Sequence, residues 1–285
     1  MKFDPRLTPV RPDLAAEGYA RIAISERYVT PVSYRVHASR TYLRRSPSPD
    51  APIDTELLFG EEFSVLEVKD GWLWGQSGTD FYVGYARAEH LANAQTQRAT
   101  HAVQTLHSQI YAEPSLKSEP LRTLSYGSLL RVVETTATHA RIGGRAWVPV
   151  QHLAPVERPI RDWVAEAEKF LDVPYVWGGR SSLGLDCSAL VQLARLSATG
   201  WLPFPRDSDM QEKMAGTTLS ENAVLERGDL IFWKGHVGIM ADADTLLHAN
   251  AHHMAVTMEP LTVAVQRIEA AGDGKVTRRA RLDLT

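Results

Sequence analysis

The sequence predicts a multidomain α+β protein in which two small β-barrels precede an α+β domain. Three observations predict this architecture. A block of strand-like segments occurs twice in the first half of the chain. Pro155 and Pro159 then bracket charged residues at the point where the composition changes. Beyond them, Cys187 opens a helical, apolar run, and two histidines follow it in strand-like segments.

The composition is that of an ordinary soluble protein. The 285 residues exceed one average domain and can bury a core without a metal or a disulfide. The net charge of -3 gives no electrostatic reason to bind nucleic acid. No segment reaches the roughly 18 apolar residues of a membrane span, and residues 1–6 do not resemble a secretion signal. We therefore expect a cytoplasmic protein without nucleic-acid or membrane partners, and the single cysteine agrees with a reducing compartment.

The first half contains one β unit twice, over residues 36–92 and 102–154. The segment Leu57-Leu58-Phe59-Gly60 matches Leu124-Ser125-Tyr126-Gly127, and His90-Leu91-Ala92 matches His152-Leu153-Ala154. Short strands with period-two alternation and Pro-containing turns are typical of small barrels.

The two copies differ in one hairpin. The first copy has Trp72, Trp74, Phe81 and Tyr82 there, whereas the second has Arg141, Gly143 and Gly144. Because several aromatic side chains on one hairpin are hard to bury together, we expect some of them to face the neighbouring domain.

Residues 155–160 are predicted to link the barrels to the second half. Asp162 can cap a helix that Pro174 ends, with an apolar face formed by Trp163, Ala167, Phe170 and Leu171. The following loop contains Gly178 and Gly179, which allow close approach of the backbone.

Cys187 is predicted to lie in the first turn of a buried central helix, because residues 189–196 are apolar nearly all round. The partial positive charge of the helix end would lower the pKa of the thiol, and free backbone N–H groups could hold an oxyanion. The alternative is a small apolar core residue. Cys187 by itself leaves both interpretations open.

Two histidines favour the nucleophile. Residues 230–233, 236–240 and 245–249 are predicted to form successive strands, with His236 opening the second and His248 on the third. Adjacent antiparallel strands can bring two such side chains within hydrogen-bonding reach on one face. This arrangement would supply a nucleophile, a base and an orienting group, the logic of the serine triad.

Five motifs in this order resemble those of the NlpC-type papain-like cysteine peptidases of bacterial cell-wall metabolism. They are Tyr175-Val176-Trp177-Gly178-Gly179, Asp186-Cys187-Ser188, Arg227-Gly228-Asp229-Leu230, His236-Val237-Gly238-Ile239 and His248. The barrels resemble bacterial SH3-like domains, and the combination is similar to the γ-D-glutamyl-L-diamino acid endopeptidases, or dipeptidyl-peptidase VI group. The resemblance implies SH3-like barrels over residues 35–95 and 96–156 and a papain-like α+β cysteine peptidase domain over 157–285. Residues 1–34 match nothing in the family and are assigned as an N-terminal extension.

The resemblance also implies catalytic roles. Cys187 would be the nucleophile, His236 the general base, and His248 the polar group that fixes the tautomer of His236. The thiolate would attack the γ-carbonyl of D-glutamate, and backbone N–H groups including that of Cys187 would hold the oxyanion. His236 would protonate the departing amine, and water would cleave the thioester. No cofactor or metal is expected.

Asp186 requires a separate explanation, because a carboxylate beside a thiol disfavours the thiolate. The resemblance implies that Asp186, Ser188 and Tyr175 recognise the free amine of N-terminal L-alanine. The alternative for Asp186 is a helix cap without a ligand.

The same resemblance implies that the first barrel contributes Glu61 and Tyr82 to substrate binding, with Glu62 as an alternative to Glu61. A buried carboxylate facing an ammonium would select for free amines, and the barrel would block longer chains. Ser208 is expected to line the cleft.

The expected function is cleavage of the bond between γ-D-glutamate and meso-diaminopimelate or L-lysine in free murein peptides during cell-wall recycling. The expected partners are therefore L-Ala-γ-D-Glu-diamino acid peptides, whereas the oligomeric state stays open. Two alternatives remain. One is a general hydrolase of intact peptidoglycan with wall-binding barrels, and the other is a non-catalytic protein that binds cell-wall peptides.

Overall fold

The computed structural model describes residues 3–93, 98–158 and 160–282. The chain divides into two compact units between Glu157 and Arg158. This division falls within the predicted linker, of which Pro159 lies outside the described residues, as does the predicted barrel boundary at residues 95 and 96. In the described part of the chain, no helix is both long and apolar enough to cross a membrane.

The first unit is built from short strands. They are β1 (Ala15–Ala16), β2 (Tyr28–Val29), β3 (Val32–Val36), β4 (Arg40–Arg44), β5 (Ile53–Leu58), β6 (Glu62–Lys69), β7 (Trp72–Ser77), β8 (Val83–Arg87), β9 (Leu91–Asn93), β10 (His101–Val103), β11 (His107–Tyr111), β12 (Pro120–Ser125), β13 (Leu129–Leu130), β14 (Glu134–Thr135), β15 (His139–Gly143), β16 (Ala146–Pro149) and β17 (Leu153–Pro155). Strands β3 to β9 form one sheet in the order β5-β4-β8-β7-β6-β3-β9. Strands β10 to β17 form two sheets, β13-β10-β17 and β12-β11-β16-β15-β14.

The two copies of the repeat pair their strands in the same register. Val36 pairs with Leu91 in the first copy, and Val103 pairs with Leu153 in the second. Each of these pairs is buried in a separate hydrophobic cluster. Residues 101–155 therefore form a second group of strands with its own core, and its description as an SH3-like barrel stays a prediction.

A side-chain hydrogen bond also occurs once in each copy. Nδ1 of His90 lies 2.9 Å from Oγ1 of Thr41, and Nδ1 of His152 lies 2.9 Å from Oγ of Ser108. The recurrent His-Leu-Ala segment thus combines a polar contact from its histidine with a buried leucine, which explains structurally why both positions recur.

The N-terminal extension packs on the first barrel. Leu14 and Ala16 share a buried cluster with Leu66 and Trp74. The guanidinium of Arg11 lies 4.2 Å from the centroid of the Trp74 ring, within the range of a cation–π contact. Trp74 is therefore covered by residues of its own unit.

The aromatic hairpin is better buried than we expected. Trp72, Trp74 and Tyr82 are all buried, whereas Phe81 is half exposed. The guanidinium of Arg87 lies 4.3 Å from the Trp72 ring, and Tyr82 belongs to the core of the first barrel. Arginine side chains stack on Trp72 and Trp74, and the N-terminal extension covers Trp74, so these rings are buried within the first unit.

The second unit combines helices with an antiparallel sheet. Its elements are α1 (Trp163–Glu168), β18 (Arg180–Ser181), β19 (Gly184–Leu185), α2 (Cys187–Ala198), α3 (Ser208–Met214), β20 (Thr217–Thr218), β21 (Asp229–Trp233), β22 (His236–Met240), β23 (Thr245–Asn250), β24 (Ala255–Pro260), α4 (Leu261–Ala270) and β25 (Arg278–Arg281). The main sheet has the order β20-β25-β21-β22-β23-β24.

The helices of this unit follow the sequence signals closely. The Asp162 carboxylate caps α1 by accepting a hydrogen bond of 3.1 Å from the Ala165 amide. This helix ends at Glu168, before the predicted Leu171, and Asp172 then adopts a φ of 66°. Helix α2 is buried on nearly every side and packs against β22 and β23, as its apolar sequence predicts. It therefore holds Cys187 beside the strands that carry the histidines.

Candidate active site

Cys187 is the first residue of α2, and its side chain is buried. The backbone N–H groups of Val237 and Ser188 lie close enough to its thiol to lower the pKa. Val237 directly follows His236, so the thiol lies at the start of β22. The helix start and the strand start thus bring the nucleophile to the first histidine.

The pKa of Cys187 moves in the direction opposite to our expectation. Burial raises it to about 12, and the negative charge of Asp186 adds to this effect. The two backbone N–H groups lower the pKa, but they do not offset the loss of hydration. The prediction of a lowered pKa at this helix end is therefore wrong, and the resting residue is a neutral thiol at pH 7.

The two histidines are adjacent on the sheet. Nε2 of His236 lies 2.9 Å from Nδ1 of His248. The register of β22 and β23, in which Ile239 pairs with Leu247, places the two side chains diagonally on one face. Burial lowers the pKa of His236 to about 3 and that of His248 to about 4, so both imidazoles are neutral at pH 7. A neutral His236 can accept a proton.

A further group that we did not anticipate extends this chain of contacts. Nε2 of His248 lies 2.8 Å from Oε1 of Glu259 on β24, and Arg267 on α4 donates to the same oxygen. Burial opposes ionisation of Glu259, but the hydrogen bonds from Arg267 and His248 outweigh it and lower the pKa of the carboxyl. No local sequence pattern indicated this contact, because it depends on the register that pairs His248 with Thr257, two positions from Glu259.

Asp186 is both a helix cap and one partner of a buried ion pair. Its Oδ1 accepts hydrogen bonds from the Ala189 amide at 2.9 Å, from Oγ of Ser188 at 3.1 Å and from Arg206 at 2.9 Å. Its Oδ2 accepts from the Gly178 amide at 3.0 Å and from Arg206 at 2.7 Å. The capping interpretation is therefore observed, and the recognition of an amine by Asp186 stays a prediction.

Arg206 is a buried structural residue, a role that the sequence did not indicate. We expected Ser208, two residues after Arg206, to line the cleft. Arg206 itself is only 1% exposed and donates to Asp186, to Ser188 and to the Gly179 carbonyl. Ser208 begins α3 and is half-buried, and its contact with substrate stays a prediction.

Tyr175 lies close to the same charges. Its backbone amide donates to the Met254 carbonyl at 2.9 Å, which holds the loop against β24. Burial raises the pKa of the Tyr175 hydroxyl, and the negative charges that Cys187 and Asp186 can carry raise it further. The hydroxyl therefore stays protonated and can donate a hydrogen bond.

The predicted substrate-binding residues of the first barrel are both buried within the first unit. Glu61 accepts hydrogen bonds from the Leu58 amide and from Oγ1 of Thr79, both at 2.9 Å. Tyr82 belongs to the barrel core, and the alternative residue, Glu62, pairs with Arg35 at 2.6 Å. The roles of Glu61 and Tyr82 in a site on the second unit stay predictions.

The described residues contain no group of three or more His, Cys, Asp and Glu side chains that could hold a metal ion. The groups present can perform nucleophilic catalysis. A thiol at a helix start lies near the backbone of Val237, and the preceding residue, His236, is a neutral imidazole in a line of contacts with His248 and Glu259.

Family comparisons agree with this geometry. Residues 172–268 match the NlpC/P60 family, and residues 43–91 match the family described as the bacterial dipeptidyl-peptidase Sh3 domain. The second unit is an NlpC/P60 cysteine peptidase domain. The SH3 match covers most of the first barrel.

Two relatives resemble most of the chain. Dipeptidyl-peptidase 6 of Lysinibacillus sphaericus is 28% identical over 240 residues, which are 75% of this chain and 86% of that protein. A γ-D-glutamyl-L-lysine dipeptidyl-peptidase of Bacillus cereus is 26% identical over 251 residues, which are 77% of this chain and 74% of that protein. This chain is therefore homologous to these dipeptidyl-peptidases over about three quarters of its length.

A solved structure shows the same fold. The crystal structure of an NlpC/P60 family protein from Bacillus cereus matches with a TM-score of 0.75 at 20% identity. The match covers 87% of this chain and 99% of that chain.

Proposed function

We propose that this chain is a cysteine endopeptidase that hydrolyses the amide bond between γ-D-glutamate and the diamino acid of murein peptides with a free N-terminal L-alanine. The observation that carries the proposal is the buried Cys187 at the start of α2, beside a His236–His248 pair at 2.9 Å. Homology to dipeptidyl-peptidase 6 and to the γ-D-glutamyl-L-lysine dipeptidyl-peptidase supports the choice of bond.

The neutral resting state determines the first step. Because the thiol and the imidazole are both uncharged at pH 7, the proton of Cys187 moves to His236 as the sulfur attacks the γ-carbonyl. Backbone N–H groups at the start of α2, including that of Cys187, stabilise the resulting oxyanion. The tetrahedral intermediate collapses to a thioester when His236 gives its proton to the departing amine.

The second half-reaction restores the enzyme. His236, now neutral again, takes a proton from water, and the hydroxide oxygen attacks the thioester carbonyl. The carbon–sulfur bond breaks, and the proton returns to the sulfur. The dipeptide L-Ala-D-Glu leaves with a free carboxyl group.

Recognition of the free amine is assigned to Asp186, Ser188 and Tyr175, with Glu61, Tyr82 and Ser208 as further contacts. The support for this part is the carboxylate of Asp186, which lies next to the nucleophile in a buried cluster. An acetylated N-terminus would remove the cation that these groups are proposed to bind.

We also propose a papain-like second unit, two SH3-like barrels in the first, and a role in the recycling of cell-wall peptides in the cytoplasm. The recurrent strand pairing of the first unit supports the second barrel. Cell fractionation tests the location, because an extracellular or periplasmic protein would contradict it.

Mass spectrometry of peptide products tests the activity directly. The substrates are L-Ala-γ-D-Glu-L-Lys and its meso-diaminopimelate counterpart, compared with their N-acetylated forms and with the Cys187→Ala variant. We expect L-Ala-D-Glu only from the free-amine peptides and only with Cys187 present. Equal cleavage of the acetylated peptides would contradict the recognition of the amine, and no cleavage of any free peptide would contradict the proposed substrate.

A further inference from the structure

Glu259 and Arg267 continue the line of contacts behind the two histidines. Glu259 lies on the same face of the sheet as His248, because their strands pair His248 with Thr257 and Leu246 with Glu259. We propose that Glu259, held by Arg267, is a positioning residue that sets the protons on both histidines and leaves Nδ1 of His236 unprotonated for the proton of Cys187. The inference rests on the proposed cysteine peptidase activity and adds a residue to its machinery.

The direction of each hydrogen bond follows from the carboxylate. An ionised carboxylate only accepts hydrogen bonds, so the contact of 2.8 Å requires a proton on Nε2 of His248. In a neutral imidazole the other nitrogen then has no proton, so Nδ1 of His248 accepts the hydrogen bond of 2.9 Å from Nε2 of His236. By the same rule, Nδ1 of His236 carries a lone pair, which is what a general base needs.

Arg267 favours the tautomers in which Nε2 of each histidine carries the proton. It donates to the same Oε1 atom that His248 contacts, so this oxygen acts as an acceptor for two donors. A protonated Glu259 could donate its own proton towards His248 and reverse every hydrogen bond in the line. The hydrogen bonds from Arg267 and from His248 both oppose this reversal, because each stabilises the ionised carboxylate.

Several charged and titratable groups act on the two histidines. Glu259 on β24 is negative, Arg267 on α4 is positive, and His253 is in the loop before β24. Asp186, at the start of α2, affects His236. Removal of the charge of Glu259 should therefore disfavour an imidazolium at His236, and removal of the charge of Arg267 should favour it.

The tautomers can be measured without any substrate. Nitrogen-15 NMR of histidine-labelled protein should show protons on Nε2 of both His236 and His248. In Glu259→Gln the amide oxygen can still accept from Arg267 and His248, so the tautomers should persist. In Glu259→Ala this acceptor is lost, and the populations should shift towards protonation of Nδ1 in both rings.

The charge effect can be measured by alkylation of Cys187. At about pH 7, where reaction depends on proton transfer to His236, Glu259→Gln should slow inactivation by iodoacetamide about tenfold. Arg267→Met should accelerate it. At higher pH, where hydroxide removes the proton of the thiol directly, the rates of the three proteins should approach one another. Glu269→Gln, an exposed change at the end of α4, is the matched control and should match wild type.

Peptide kinetics complete the test. If the free murein peptides are cleaved, Glu259→Gln should lower kcat with little change in KM, because the residue acts through the histidines. Wild-type tautomers in Glu259→Ala, or shifts of the same sign in Glu259→Gln and Arg267→Met, would overturn the inference. If the NMR and alkylation results appear as expected but no murein peptide is cleaved, the inference stands and the proposed substrate is wrong.

Discussion

Among the carboxylate–arginine pairs of the second unit, the two that contact the catalytic region have opposite effects on the catalytic groups. At the start of α2, Asp186 pairs with Arg206, and its other hydrogen bonds come from the loop before α2 and from the first turn of the helix. On β24, Glu259 pairs with Arg267, and it also contacts the imidazole of His248, which can titrate. The Asp186–Arg206 pair therefore holds three backbone segments together. The Glu259–Arg267 pair instead influences where the protons lie on the histidines.

The comparison shows that burial beside an arginine does not determine the role of a carboxylate. Asp186 raises the pKa of Cys187 and therefore opposes the thiolate. Arg206 partly cancels this effect, and its hydrogen bonds to Asp186 and Ser188 tie the segment before α3 to the start of α2. Glu259 raises the pKa of His248, the imidazole that contacts His236, and its negative charge therefore favours positive charge on the histidine pair.

The largest difference should be in stability. Arg206→Met leaves the Asp186 carboxylate buried and without its cation, which should cost about 3–5 kcal/mol in free energy of unfolding. Arg267→Met should cost less, because the Arg267 side chain is 23% exposed and Glu259 keeps its contact with His248. Urea denaturation measures both values. The double variant Asp186→Asn with Arg206→Met should recover part of the loss, and equal losses in the two single variants would contradict the comparison.

The next largest effect should be on turnover through the histidine line. His248→Ala removes the group that orients His236 and should lower kcat about 100-fold or more. Adding Glu259→Gln to this variant should cause little further loss, because Glu259 acts through His248. Steady-state kinetics on the free murein peptides provide the measurement. If the double variant lowered kcat by the product of the two single effects, Glu259 would act independently of His248.

A smaller effect concerns the thiol itself. In wild type, the rate of alkylation of Cys187 should continue to rise with pH well above neutrality, since burial raises the pKa of the thiol to about 12. Asp186→Asn keeps a capping side chain and removes the negative charge, so it should move this rise to lower pH by about one unit. Stopped-flow alkylation against pH checks the shift. A shift of the same size in Glu259→Gln would remove the distinction between the two pairs.

The smallest effect should come from Ser188. Its hydroxyl donates to Asp186 at 3.1 Å and accepts from Arg206 at 2.9 Å. Ser188→Ala should therefore cost about 1 kcal/mol in unfolding free energy without moving the pH dependence of alkylation. Ser197→Ala is a matched control on the same helix, because that hydroxyl donates only a structural bond, of 2.6 Å, to the Ala194 carbonyl. A changed pH profile in Ser188→Ala alone would mean that Ser188 acts on the thiol directly.

Local patterns were sufficient to predict the elements that carry the nucleophile and its base. An aspartate before an apolar run predicts a capped, buried helix that begins at Cys187, and this helix is observed. Two short apolar segments around Lys234 and Gly235 predict a hairpin, and β21 and β22 pair across that turn. The prediction was correct because each of these signals lies within a few residues of the structure it specifies.

The partners of both carboxylates required the folded structure. Arg206 is 20 residues from Asp186, and Glu259 is 11 residues from His248. The contact of Arg206 depends on the course of a loop, and the contact of Glu259 depends on the register of β23 with β24. No local pattern of residues in the sequence specifies either one. The same holds for the N-terminal extension, whose cover over Trp74 no pattern in residues 1–34 indicated.

The sequence by itself therefore determined the identity of the reactive groups, the order of the elements that carry them and the repeat in the first half. Tertiary structure decided the protonation states. A helix start by itself lowers the pKa of a thiol, but the surrounding unit removes water from Cys187, and loss of hydration outweighs the helix end. Burial is a property of the whole unit, because it depends on every segment that packs around the site, so the sign of this shift could not be read from the residues beside Cys187.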